Sequence, residues 1–268
     1  MSHESDGTGA QRTGASGASG PGARKRGWTG SAHKGLRERR ARGNEASRQR
    51  LRAGAVSLSG LYTLNTPSGD AHDRIADGLA DHGWAVSPAF LTPAQASTLL
   101  AESVSARDRF HPAGVGRAGA HGVRSGTRSD SVCWLGDAHS GPGQAAYLAA
   151  MDGLRAYLNQ SLYLGLLSYD AHFASYPVGA FYARHLDALH GPGARRTLSC
   201  VLYLNPDWTD ADGGHLRLYL DGDRQEPFMD VRPEAGTLVT FLSERFEHEV
   251  LTSTRERSSV TGWFSGRT

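Results

Sequence analysis

The sequence is poor in cysteine, in long apolar runs and, beyond its first fifth, in positive charge. Two cysteines, Cys133 and Cys200, in 268 residues cannot build a disulfide framework, and they do not have the paired spacing of a zinc site. A reducing bacterial cytoplasm is the expected setting. No apolar run approaches the roughly 18 residues of a membrane span, so no membrane contact is expected. An apolar h-region is missing near the N-terminus, and Glu4 and Asp6 suit an organellar transit peptide poorly, so a cytosolic protein is the expectation. Lys and Arg number 29 against 27 Asp and Glu, yet residues 1–54 hold 12 of the basic and only 4 of the acidic side chains. That arm carries a formal +8 and the remainder −6.

What is plentiful is glycine, 34 of 268 residues, near twice the usual roughly 7% and a sign of many tight turns. Residues 1–54 are Gly, Ser, Ala and Arg with almost no branched apolar side chains, so ordering them would bury nothing to offset the lost entropy. A disordered basic arm is expected. Its stretch 34–52 reads either as a basic helix for RNA, DNA or the ribosome or as a solubilising tail.

Structure is expected from about Ser57. Ile75 and Leu79 mark a short helix that Gly83 would close, followed by a strand at Trp84, Ala85 and Val86. Thr92-Pro93-Ala94-Gln95 is a helix start: a capping hydroxyl, proline at the first turn and a glutamine placed to reach back. Residues 112–127 carry no period and read as a loop; Tyr147, Met151, Leu154, Leu158 and Leu162 then share one helical face. From about residue 170 short β-branched and aromatic runs alternate with turns, predicting strands at 172–177, 180–185, 197–204, 215–220, 236–242 and 258–264. The expectation is an α+β, mostly β chain: helical support over about 70–166, packed on one face of a sandwich or jelly-roll core over about 170–268.

His185-Leu186-Asp187 ends one of these strands, and alternate residues of an extended chain face the same way, so imidazole and carboxylate can share one metal. Alone such a pair is a common accident. His248 supplies a second imidazole from a distant strand, and two histidines with one carboxylate make the facial triad of non-haem Fe(II) oxygenases. Arg257 lies nine residues further and is therefore expected on the adjoining strand, where its guanidinium can grip a carboxylate with two hydrogen bonds. A metal with open positions beside a carboxylate receptor describes a 2-oxoglutarate pocket.

At these residues the sequence resembles the Fe(II)- and 2-oxoglutarate-dependent dioxygenases of the prolyl hydroxylase domain (oxygen-sensor) type. Tyr176-Pro177 and Phe181-Tyr182-Ala183-Arg184-His185-Leu186-Asp187 resemble the family's YP…GYxRHxD strand, and residues 200–208 its CxxYLNxxW. Gly213-Gly214-His215-Leu216-Arg217 is similar to the GGxLR turn, His248-Glu249-Val250 with Arg257, Thr261 and Trp263 to the HEV…R…T.W ending, and residues 128–136 to an RxDxxxW segment. The likeness covers roughly residues 72–268 and implies a double-stranded β-helix (jelly roll) over a 55–268 catalytic domain.

By that resemblance His185, Asp187 and His248 hold Fe(II), and Arg257 with Tyr203 binds the far carboxylate of 2-oxoglutarate, supported by Thr261. Tyr176, Leu216 and Val250 would line the cosubstrate slot. Arg196 and the 112–127 loop would touch a peptide, with Tyr182 and Trp263 as further substrate candidates. Singly, Tyr182, Tyr203, Trp208 and Trp263 read as well as core aromatics. The resemblance implies O2 as second cosubstrate, succinate and CO2 as products, L-ascorbate as an optional reductant, and a proline in a translation-related or regulatory protein or peptide as target. Two alternatives stand beside prolyl 4-hydroxylation: hydroxylation of a free amino acid or other small molecule, and a non-catalytic sensing module with a nucleic-acid-binding arm.

Overall fold

Local signals decide where the helices begin. In this computed structural model, which describes residues 70–114, 126–136, 140–187, 195–222 and 224–266, the Asp70 carboxylate accepts from the His72 N–H and opens α1 (Ala71–Asp81). The helix buries Ile75, Ala76 and Leu79, and the chain turns at Gly83 with φ +85° into strand β1 (Trp84–Ser87). A side chain at Gly83 would need a left-handed backbone and would collide with Arg245 at 2.8 Å. Helix α2 (Pro93–Ser105) starts on a reciprocal cap: the Gln95 N–H donates to Thr92 Oγ1, and the Thr92 N–H donates to Gln95 Oε1. Helix α3 (Pro142–Leu162) buries Tyr147, Met151, Leu154 and Leu158, with Leu162 only half-buried at its end. The free N–H groups of Gly143 and Gln144 at its start donate to the Glu102 carboxylate of α2.

Among the described residues, eleven strands follow the alternation of side chains into two antiparallel sheets. They are β2 (His111–Pro112), β3 (Ser131–Trp134), β4 (Leu166–Tyr176), β5 (Tyr182–His185), β6 (Arg195–Tyr203), β7 (Leu216–Tyr219), β8 (Phe228–Val231), β9 (Leu238–Leu242), β10 (His248–Val250) and β11 (Arg257–Gly266), with β1. The large sheet has the order β1-β9-β6-β11-β4-β3-β2, the small one β5-β10-β7-β8.

Strand β6 shows why the layers form. Leu198, Cys200 and Leu202 point outward into one apolar cluster with the buried faces of the three helices, while Val201 and Tyr203 point inward and pack against Leu216, Leu218, Met229 and Phe246. The helices thus cover one outer face of a jelly roll, as expected, and the second core lies between the sheets. Gly262 of β11 lets the outer core close, since a Cβ there would lie 2.5 Å from the Tyr169 hydroxyl.

Some elements differ from expectation. The helical portion contributes β2 and β3 to the large sheet, β4 begins six residues earlier than 172, and β8 and β10 form where no strand is predicted. These are two- to four-residue strands that neighbours hold by pairing. The basic arm 1–54, the onset near Ser57 and most of the 112–127 loop lie outside the described residues. No helix among the described residues is long and apolar enough to cross a membrane.

Candidate active site

His185 is the last residue of β5 and His248 the first of β10, and the two face each other as cross-strand partners in the small sheet. Asp187 lies two residues past the end of β5. The Nε2 atoms of His185 and His248 each stand 3.6 Å from an Asp187 carboxylate oxygen, and the candidate ligand atoms all fall within 4.8 Å of one another. Each histidine's other nitrogen meets a backbone carbonyl, Ala183 O at 2.8 Å and Phe246 O at 3.3 Å. A carbonyl can only accept, so Nδ1 carries the hydrogen and Nε2 presents its lone pair. Burial, reinforced by the neighbouring His185, lowers His248 to about 4. Burial would raise the Asp187 carboxyl, but His248, His185 and the Trp263 indole outweigh it and hold the acid well below the usual carboxylate range. A neutral His248 imidazole beside an ionised carboxylate suits a divalent metal.

Arg257 is the exception to the sequence expectation. It does begin the next strand in the chain, but β11 belongs to the opposite sheet, pairing with β4 and β6. The reason is the crossing of the chain from one sheet to the other after β10. Its guanidinium thus approaches the cavity from across the sandwich. The side chain is only 1% exposed: Nε donates to Gly214 O at 2.9 Å, Nη1 reaches Ser259 Oγ at 3.4 Å, and Nη2 has no partner. The Tyr176 and Tyr203 rings lie 5.0 and 5.1 Å from its central carbon. The Tyr203 hydroxyl is also buried without a partner; burial pushes it up to about 12 against the pull of Arg257. Gly214, at φ +66°, admits this arrangement, because a Cβ would sit 2.9 Å from Ser253 and 3.3 Å from the Arg257 side chain.

One cavity of about 600 Å³ joins these groups. His185, Asp187, His248, Arg257, Tyr176, Leu216, Val250, Thr261, Arg196, Tyr182 and Trp263 all line it, whereas Tyr203 stands behind Arg257 as a buried wall. Arg196 stacks on the Trp263 ring at 3.5 Å, and Tyr182 lies face to face with His185, centroids 3.6 Å apart.

Comparison with known proteins places the chain in a family. The family model of the 2OG-Fe(II) oxygenase superfamily matches residues 171–265. A solved prolyl-4-hydroxylase from Pseudomonas putida is 42% identical, with a TM-score of 0.65 over 74% of this chain and the whole of that one. The chain belongs to the 2OG-Fe(II) oxygenase superfamily. A Trichoplax adhaerens prolyl hydroxylase, solved with a peptide fragment of the hypoxia inducible factor oxygen degradation domain, superposes with a TM-score of 0.64 at 25% identity, covering 72% of this chain and 88% of that one. Human Egl nine homolog 1 and human prolyl hydroxylase EGLN3 are each 33% identical over 143 residues, 51% of this chain. The match spans 33% of the first protein's length and 58% of the second's.

The oxygenases of this superfamily use Fe(II), 2-oxoglutarate and O2, and the residues here fit the first two. Two imidazoles and a carboxylate offer one facial set of donors. A buried guanidinium with an idle Nη2, beside an idle phenol, calls for an anion, since an unpaired buried charge costs several kcal/mol.

Sequence reasoning passed over two groups around the oxygenase pocket, and it matched a third, the Arg128 and Asp130 of the RxDxxxW segment, without giving it a role. Ser199 donates to Asp187 Oδ2 at 2.7 Å; it occupies an inward position of β6 and could have been found by counting alternation back from Tyr203. His172 lines the cavity from β4 between Trp134 and Trp263, and no motif marks it. Arg128 and Asp130 form a two-pronged pair at 2.7 and 2.6 Å beside the cavity.

Proposed function

We propose that this oxygenase hydroxylates a prolyl residue of a protein or peptide, forming succinate and CO2 from 2-oxoglutarate and O2. The observation that carries the reading is the idle Nη2 of buried Arg257 in the same cavity as the triad, a receptor for a dicarboxylate held end-on. His185, Asp187 and His248 would hold the iron and Arg257, with Tyr203 behind it and Thr261 beside it, the far carboxylate of 2-oxoglutarate. When bound, iron and cosubstrate together supply the oxidising power that puts one O2 oxygen on the substrate carbon. Trp263 and Ser199 keep the Asp187 carboxylate oriented and ionised; Tyr176, Leu216 and Val250 keep water off the cosubstrate. Arg196, stacked on Trp263 at the cavity wall, offers its guanidinium to a peptide carbonyl or carboxylate. The likeness to solved prolyl hydroxylases, one of them carrying a peptide, favours a peptidyl proline over a free amino acid.

The test is anaerobic Fe(II) and 2-oxoglutarate binding, then O2-dependent succinate formation, in wild type, His248→Ala and Arg257→Ala. Succinate that disappears in His248→Ala, followed by proline-containing peptides gaining one oxygen atom by mass spectrometry, is the expected result. Hydroxylation of a free amino acid but of no peptide would overturn the substrate; no metal-dependent turnover would overturn the reaction.

A further inference from the structure

The Arg128–Asp130 pair takes no part in the proposed chemistry, yet it is joined to one of the triad histidines. Asp130 is fully buried and holds Arg128 through two hydrogen bonds. The guanidinium carbon sits 4.1 Å above the centre of the Tyr182 ring. The same ring is stacked on His185, 3.6 Å between centroids and 15° from parallel, and two planar groups this near one ring centre must take opposite faces to avoid overlap. The same segment fixes the backbone below: Arg128 bridges to Tyr182, the Ala183 N–H donates to Thr127 O at 2.8 Å, and the Ser129 N–H donates to Phe181 O at 3.1 Å. Ala183 is in turn the residue whose carbonyl receives His185 Nδ1.

We propose that Arg128, Asp130 and Tyr182 form a clamp that positions His185 for the metal. The inference rests on His185 being a metal ligand. His248 is buried, with Phe241 edge-on against its ring, whereas His185 ends an edge strand of the small sheet and is half-buried. Apart from the His248 ring 4.2 Å away, its ring orientation therefore depends on two restraints, the Nδ1 hydrogen bond to Ala183 and the Tyr182 face, and residues 127–130 brace both. A tyrosine π face attracts positive charge on either side. When His185 donates its lone pair to a divalent ion, its ring becomes electron-poor, and Tyr182 then lies between two cationic faces. Asp130 neutralises the guanidinium, so the ion does not meet an uncompensated charge through the ring. Coupling of this kind is reciprocal: a clamp that favours the bound metal is itself tightened by it.

The experiment is an anaerobic titration of the full-length protein with Co(II), read by its visible d–d absorption, with the unfolding temperature of each metal-free protein measured in parallel. Tyr182→Phe keeps the ring and loses only the hydroxyl's contact with Arg128, so it should weaken binding less than Tyr182→Leu. Tyr182→Leu and Arg128→Met should each weaken Co(II) binding about 10- to 100-fold, the range for groups that orient a ligand. The double variant should lose less than the product of the two. Affinity within about twofold of wild type in Tyr182→Leu overturns the clamp, even if its unfolding temperature falls. If that variant does not fold, Arg128→Lys, which breaks the two-pronged pair but keeps a cation, decides in the same way. A wild-type affinity unchanged by His185→Ala overturns the metal site itself.

Discussion

The Trp263 indole N–H donates to Asp187 Oδ2 at 2.8 Å, tying the carboxylate of the small-sheet cluster to β11 of the large sheet. The Ser199 hydroxyl meets the same oxygen at 2.7 Å and is itself linked to Ser243. The carboxylate thus receives two hydrogen bonds from one side, leaving Oδ1 turned toward His185.

Trp263→Phe keeps a ring under Arg196 but removes that indole donor. Metal affinity is expected to fall about 10-fold, and Ser199→Ala in the same background about 10-fold further. Competition against a chelator measures both, and unchanged affinity would show that the hydrogen bonds do not orient Asp187.

Arg257→Met replaces a buried, half-satisfied cation by an apolar chain of similar length. The ligand-free protein should be as stable as wild type or more so, because removing a buried charge is often neutral or stabilising. At the same time 2-oxoglutarate should bind on the order of 100-fold more weakly. Thermal unfolding with and without 2-oxoglutarate separates the two: at about 100 times its Kd the ligand should protect wild type by about 2.7 kcal/mol and the variant hardly at all.

His172 is buried, and burial, helped by the Arg128 guanidinium, lowers it to about 4. Its unfolded value is about 6.5, so the unfolded chain binds the extra proton between those limits. Folding stability should accordingly be full above about pH 6.5 and decline as pH falls toward 4, by about 3 kcal/mol from this residue alone. His172→Phe should flatten that part of the profile in urea unfolding across pH 4–7, leaving the contribution of His248. A variant with the wild-type slope would exclude His172 as its source.

Gly262→Ala drives a methyl to within 2.5 Å of the Tyr169 hydroxyl and 2.8 Å of the Ala171 side chain. Tyr169 cannot retreat freely, being hydrogen-bonded to Tyr147 of α3. The loss should be about 1–3 kcal/mol in chemical denaturation, and truncating Tyr169 in the same chain should recover part of it.

The features legible in the sequence are the local ones and those repeated at a fixed interval. Thr92 and Gln95 announce α2 because a cap is completed within four residues, and Tyr147 to Leu158 announce α3 because one face repeats. The triad was readable since His185 and Asp187 share a strand side and His248 stands in a recognisable ending. Arg257 was readable as a residue but not as a location: which sheet a strand joins is settled by pairing across the whole domain, here with Tyr176 some eighty positions earlier. The strand at Ser131–Trp134 owes its existence to β4 beside it. His172 and Ser199 are single polar residues at inward positions, and only the folded cavity distinguishes them from others.

With the triad at one sheet and Arg257 on the other, the pocket works as a calliper whose jaws are the two sheets. Its opening is set by what fills the space between them: Leu218, Met229, Phe241 and Phe246, packed behind the Tyr176, Leu216 and Val250 side chains that line the cavity. A preference for a five-carbon keto diacid over one carbon shorter or longer would then be written in side chains of the core, and swapping their volumes is the direct way to rewrite it.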